Sequence, residues 1–121
     1  MPDSRQAVFE CIRAMFAAHA ARCLVTADNA TDYFLATREV RAKDGYRTQL
    51  GGVALKKNYV STHLMPVYVH PELLNEISPA LRKRMQGNSC FNFKTPDDAL
   101  FAELEALIAR GVEVFAREGR L

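Results

Sequence analysis

The sequence predicts an α+β domain: a mainly antiparallel sheet of about five strands, with N- and C-terminal helices packed on one face. Three observations carry this reading. Apolar residues recur at helical spacing near the two ends of the chain, from Val8 to His19 and from Leu100 to Phe115. The middle is written in the two-residue period of half-buried strands. Turn residues punctuate that middle with no repeat, low-complexity run or long linker, so a single domain over residues 1–121 is expected. The order helix, strands, short helices, strand, long helix places the helices over an antiparallel sheet.

The first helix has Asp3 and Ser4 as suitable caps and a face of Val8, Ile12, Met15, Phe16 and His19. Residues 23–27 (CLVTA) and 33–37 (YFLAT) read as a hairpin around the turn residues 28–32 (DNATD). Residues 38–46 are charged and end in Asp44-Gly45, an exposed loop. Two further strands follow, at 49–55 and 59–69, joined by Lys56-Lys57-Asn58; Pro66 removes a donor and should bend the second or hold it at an edge. In that strand Tyr59, Ser61, His63 and Met65 share one face. Residues 71–76 read as a short helical turn. Ser78-Pro79 caps a helix that runs to Gln86 and stops at Gly87. Residues 89–94 (SCFNFK) form a strand with Phe91 and Phe93 on one side and Cys90 and Asn92 on the other. Thr95-Pro96-Asp97-Asp98 then opens the last helix as cap, proline and two acids, followed by an apolar stripe of Leu100, Leu104, Leu107, Ile108 and Phe115.

Composition bounds the function. Hydrophobic residues make up 49% and charged residues 25%, values of an ordinary globular chain. Glu10, Arg13, His19 and Arg22 interrupt the apolar stretch from Ala7 to Val25, which therefore fits neither a spanning helix nor a signal peptide; a cytoplasmic protein with no membrane partner is expected. Three cysteines, Cys11, Cys23 and Cys90, have no CxxC spacing and imply neither a zinc site nor a disulfide framework. A net charge of +2 is too small to imply nucleic acid.

The stretch NYVSTHLMPVYVHPELLNEISPALRKRMQGNSCFNF resembles the signature of the YdhG-like family of small bacterial domains, and TDYFLAT, GGVALKK and LFAELEALIARG fit the same pattern in order. The resemblance covers about residues 22–115, with RMQG-SCFNF its most specific block. It implies an α+β sandwich with a mainly antiparallel sheet. Some relatives carry a description as frataxin-like intracellular iron chaperones, and the resemblance brings no agreed catalytic motif. Two positions depart from the pattern: Asn88 stands where a lysine is usual, and Thr62 where an aromatic is usual. A frataxin-like protein implies a strongly acidic ridge, for which a net positive chain offers poor support, so iron binding is an expectation of the resemblance only.

Several constellations are candidates for chemistry. Cys90 and His63 lie on strands that can be neighbours, and Asn92 shares a face with Cys90, so a thiol nucleophile with an imidazole base is one reading. The plainer alternative is a small buried thiol beside a hydrogen-bonded sheet histidine. A second reading is a polar ligand pocket formed by Tyr33, Tyr59, His63, Tyr68, Gln86 and Asn92 around an apolar floor; tyrosines and histidines are also common half-buried residues. Arg82, Lys83 and Arg84, with Lys56 and Lys57, form a basic patch able to hold a phosphate or an acidic partner, although such a run is usually a solvated face. Acidic sets at Asp28/Asp32, Glu72/Glu76 and Asp97/Asp98/Glu103/Glu105 each have a structural explanation, and no metal ligands are assigned. Phe101, Leu104, Ile108 and Phe115 raise the alternative of pairing with a second copy. Together these lead to a non-enzymatic cytoplasmic module for a small ligand or ion, its best site the sheet face around Tyr59, His63 and Asn92; an enzyme using Cys90, or a homodimerisation domain, are the alternatives. No cofactor is legible.

Overall fold

A computed structural model describes residues 4–121. The expected cap Asp3 lies outside the described residues. Helix α1 spans Ser4–Ala17 and buries Val8, Phe9, Ile12, Met15 and Phe16. His19 falls beyond its end, just before a short 3₁₀ turn at Ala20–Arg22. Strands β1 (Leu24–Asp28) and β2 (Asp32–Val40) form the expected hairpin. Its turn is built by Asn29, whose side-chain oxygen accepts from the backbone N–H groups of Thr31 (2.9 Å) and Asp32 (3.0 Å). β3 (Arg47–Leu55) and β4 (Val60–Leu64) follow.

The sheet has six strands where about five were expected, in the order β1-β2-β3-β4-β6-β5, and every neighbouring pair is antiparallel. Its extra member is β5 (Met85–Gln86), which pairs with β6 (Cys90–Phe93) through Met85↔Phe91 and Gln86↔Cys90. The helix expected up to Gln86 therefore stops early. α3 covers only Pro79–Arg82, capped by Ser78, whose Oγ accepts from the Leu81 N–H. Gly87, expected as a helix stop, sits at φ +76° in the β5–β6 turn.

Two other expectations are corrected. The strand expected over 59–69 ends at Leu64, and Met65–Val69 is a short helix, α2, with Pro66 in its first turn. Proline lacks the N–H a ladder needs, and its fixed φ suits a helix start. The loop expected from Arg38 is strand as far as Val40; Thr37 Oγ1 donates to the Thr48 carbonyl (2.8 Å), and the Arg38 N–H to the Arg120 carbonyl (3.0 Å). After α2, a 3₁₀ turn at Pro71–Glu76 and α3 carry the chain across to β5.

α4 runs from Asp98 to Arg117, and its cap is Asp97, accepting from the Leu100 N–H (3.1 Å), not the expected Thr95. Val60, Leu64, Phe91 and Phe93 turn to the side where α1 and α4 lie, and the rings of Phe93 and Phe101 meet edge to face at 5.2 Å. Phe101, Leu104, Ile108 and Phe115 are all buried within the chain's own core, so this stripe is not left free to pair with a second copy. Gly111 marks close packing: a Cβ there would lie 2.9 Å from Cβ of Pro66, where α2 presses on α4. Ser78 ties the crossover to α4 as well, donating from its N–H and its Oγ to the Glu103 carboxylate, both at 2.7 Å.

Candidate functional site

The cross-strand register sorts the expected site residues by face. Tyr33 pairs with Val53, Val53 with Thr62, and Thr62 with Phe91; these turn toward the helices. The other face carries Phe34 and Gly52, then His63, Cys90 and Gln86 in one row, with Ala54, Ser61 and Asn92 in the next. His63, Asn92 and Gln86 are thus brought to one side of the sheet. Tyr33 is not: it is 3% exposed on the helix side, under the Arg13 guanidinium 4.7 Å from its ring centroid, and burial pushes its phenol pKa up. Tyr59 lies in the turn before β4, half-buried, and Tyr68 is exposed on α2.

On the second face, cross-strand pairing brings His63 opposite Cys90. Nδ1 of His63 lies 3.4 Å from Cys90 Sγ and 3.2 Å from Ser89 Oγ. With the ring proton on Nε2, Nδ1 accepts from either group. Desolvation lowers the His63 pKa below its ordinary 6.5, so at neutral pH the ring is an uncharged acceptor. Asn92, expected to orient the imidazole, pairs instead with Ser61, and its buried Oδ1 has no hydrogen-bond partner among the described residues. Ser89 was missed at the sequence level: counted into the strand expected over 89–94, its parity set it on the face opposite Cys90, whereas it lies in the β5–β6 turn, where no parity applies.

Cys90 is half-buried and is the one of the three thiols set beside a histidine ring. Cys23 is buried in the core, and burial raises its pKa. Cys11 is exposed on α1, where partial burial, then Asp98 and Glu105, raise its pKa. All three are free.

A separate concavity lies where the crossover meets the sheet edge. This cleft of about 540 Å³ is walled by Val67 and Tyr68 of α2, Leu74 of the 3₁₀ turn, Arg82 of α3, Met85 of β5 and Asn88 of the β5–β6 turn. Such a volume suits a small molecule. Of the residues expected to bind a ligand, Tyr68 alone lines it. Leu74 is buried and forms floor, whereas Tyr68 is 59% exposed at the mouth. The structure also divides the basic run Arg82-Lys83-Arg84. Arg82 lines the cleft and, together with Lys83, Ile77 and Pro79, a shallower groove beside it, while the Arg84 carbonyl accepts from the Asn92 N–H at the sheet edge. Sequence alone read the run as one patch on a helix expected to reach Gln86, whereas α3 ends at Arg82 and the chain turns into β5.

The acidic sets do not converge. Asp28 pairs with Arg13, Glu76 with Arg110 and Glu118 with both His70 and Arg120. Among the described residues no three His, Cys, Asp or Glu side chains gather where they could hold a metal ion. Among them, too, no helix is long and apolar enough to cross a membrane. Comparison with family models, curated proteins and solved structures finds no match to the chain.

Proposed function

We propose that the protein is a non-enzymatic binding module for a small organic ligand, seated in the cleft between α2, α3 and β5. The observation that carries this is the cleft itself: Val67, Leu74 and Met85 give it apolar lining, and the polar residues Tyr68, Arg82 and Asn88 share that lining. Met85, Gly87 and Asn88 of the RMQGNSCFNF block line it, and membership of the YdhG-like family belongs to the same reading. Three unpaired thiols suit the cytoplasm as its compartment. A fragment library screened by thermal unfolding tests the proposal. A ligand at about 100 times its Kd should stabilise the fold by about 2.7 kcal/mol. A library of several hundred small aromatic and aliphatic fragments that leaves the transition unmoved would remove the reading.

The 3.4 Å approach of His63 to Cys90 favours a second reading, an enzyme in which Cys90 is the nucleophile. As Cys90 Sγ bonds to an electrophilic carbon, its proton passes to His63 Nδ1. Iodoacetamide reports on that step: the S–C bond forms, the C–I bond breaks and iodide departs. Burial weakens His63 as a base, so the expected advantage of Cys90 over exposed Cys11 at pH 7 is about tenfold, below the usual span for general-base catalysis. The advantage should vanish in His63→Asn while Cys11 is unchanged, as peptide mass spectrometry can follow. Cys90 labelling no faster than Cys11 would sink the nucleophile.

The same variant reports on stability. Because the folded pKa of His63 is lowered, the unfolded chain takes up a proton that the folded state resists, and stability falls as pH drops below about 6.5. Burial lowers the pKa of His19 as well, so His63→Asn should flatten this decline in urea midpoints without abolishing it.

A further inference from the structure

We propose that the ligand of the cleft is a small amphipathic organic anion, an apolar body ending in a carboxylate that Arg82 holds; this rests on the cleft being the binding site. Three features of the lining carry the inference. Arg82 is the one charged side chain on it. Its guanidinium pairs with no carboxylate among the described residues, unlike those of Arg13, Arg22, Arg41, Arg110 and Arg120, and of the arginines that share this state it is the one that lines the cleft. Its one hydrogen bond, from Nη1 to the Leu74 carbonyl, is long at 3.4 Å. That bond anchors the side chain at the cleft wall while occupying one of five N–H donors.

Arg82 therefore brings to the lining a positive charge that no carboxylate of the lining offsets, and an arginine fork matches a carboxylate in two-point geometry. The apolar part of the ligand is set by the rest of the wall. Val67 and Leu74 are 1% and 6% exposed, so the floor is hydrocarbon continuous with the core, whereas the Tyr68 ring stands 59% exposed at the mouth. A ligand that covers this ring and reaches Leu74 gains from burial, and its charged end then meets Arg82 and the Asn88 amide. A cation would face Arg82 with no carboxylate to receive it, and a purely ionic anion such as phosphate would leave the apolar floor unused. The carboxy-terminus of a peptide ending in an apolar residue shares the same chemistry; the free small molecule is the assignment made here, since the cleft of about 540 Å³ is the size of a single small ligand.

The test is calorimetric titration of the full chain with octanoate, octanol and an acetylated tripeptide ending in leucine. Octanoate should bind more tightly than octanol by about tenfold, the scale of one charge-assisted hydrogen bond in partial contact with water. Arg82→Gln should bring octanoate down to the level of octanol and leave octanol unchanged, which also shows that the variant is folded. Arg84→Gln, altering a residue outside the cleft lining, should leave both unchanged. Equal binding of octanoate and octanol, or no effect of Arg82→Gln, would overturn the anion while leaving the cleft as a binding site. Binding of none of the three probes would overturn both. Tighter binding of the peptide than of octanoate would overturn the free small molecule in favour of a peptide terminus.

Discussion

Replacing Gly51 with alanine is expected to cost about 4 kcal/mol, enough to leave a domain of ordinary stability partly unfolded. Gly51 sits in β3 at φ +151°, a conformation that side chains rarely adopt. A Cβ there would overlap the carbonyl oxygen of His63, and would lie 3.1 Å from its carbonyl carbon and 3.2 Å from Cα of Leu64. All of these atoms are backbone, so no side chain can turn aside. The clash is relieved only if β3 and β4 part along the pairing that runs from Gly51↔Leu64 to Leu55↔Val60. Urea denaturation checks this, and a loss under about 1 kcal/mol would contradict the packing described. His63 and the start of α2 ride on the same strand end, so the variant should also disturb the Cys90 contact and the cleft wall.

Phe93→Ala is expected to lower stability by about 3–5 kcal/mol. The ring is 2% exposed, pairs across the sheet with Val60, and meets Phe101 of α4 edge to face, so its removal opens a cavity where sheet and long helix join. The aromatic pair contributes about 0.5–1.5 kcal/mol beyond area burial. A double-mutant cycle with Phe101→Ala should return a coupling of that size. Additive losses would place the two rings out of contact.

Much of this architecture is written locally. The Asn29 turn, the alternation in 60–64 and 90–93, and the presence of a long helix after Thr95-Pro96-Asp97-Asp98 each follow from a few adjacent residues, although its cap is Asp97, two residues beyond the expected Thr95. What escaped the sequence depends on partners far along the chain. Met85-Gln86 is too short to show a period, and it is a strand only because Phe91 and Cys90 are there to pair with. The β-branched Val67 and Val69 favour a strand, yet Pro66 ends the ladder and Gly111 of α4 opens a niche for its ring, so helix wins. The candidate sites divide in the same way. Strand parity placed Cys90 with Asn92, and His63 with Ser61, but only the β4–β6 register brings imidazole and thiol together across 27 residues. Tyr33 shows the converse: its polar hydroxyl suggested a ligand group, whereas its parity with Leu35 and Val53 commits it to the helix side. The cleft was illegible because its walls come from a crossover whose path is set by Pro66, the Ser78–Glu103 hydrogen bonds and the short β5 strand.

The central claim is that ligand binds in the crossover cleft and not on the sheet face of His63 and Asn92. Backbone-amide, methyl- and ring-resolved NMR of the full chain, titrated with the fragment that stabilises it most, tests this directly. The account predicts shifts concentrated at Val67, Leu74, Met85 and Tyr68, with His63 and Cys90 nearly still. Shifts centred on His63, Ser61 and Asn92, with the cleft signals unmoved, would contradict it and move the site to the sheet face.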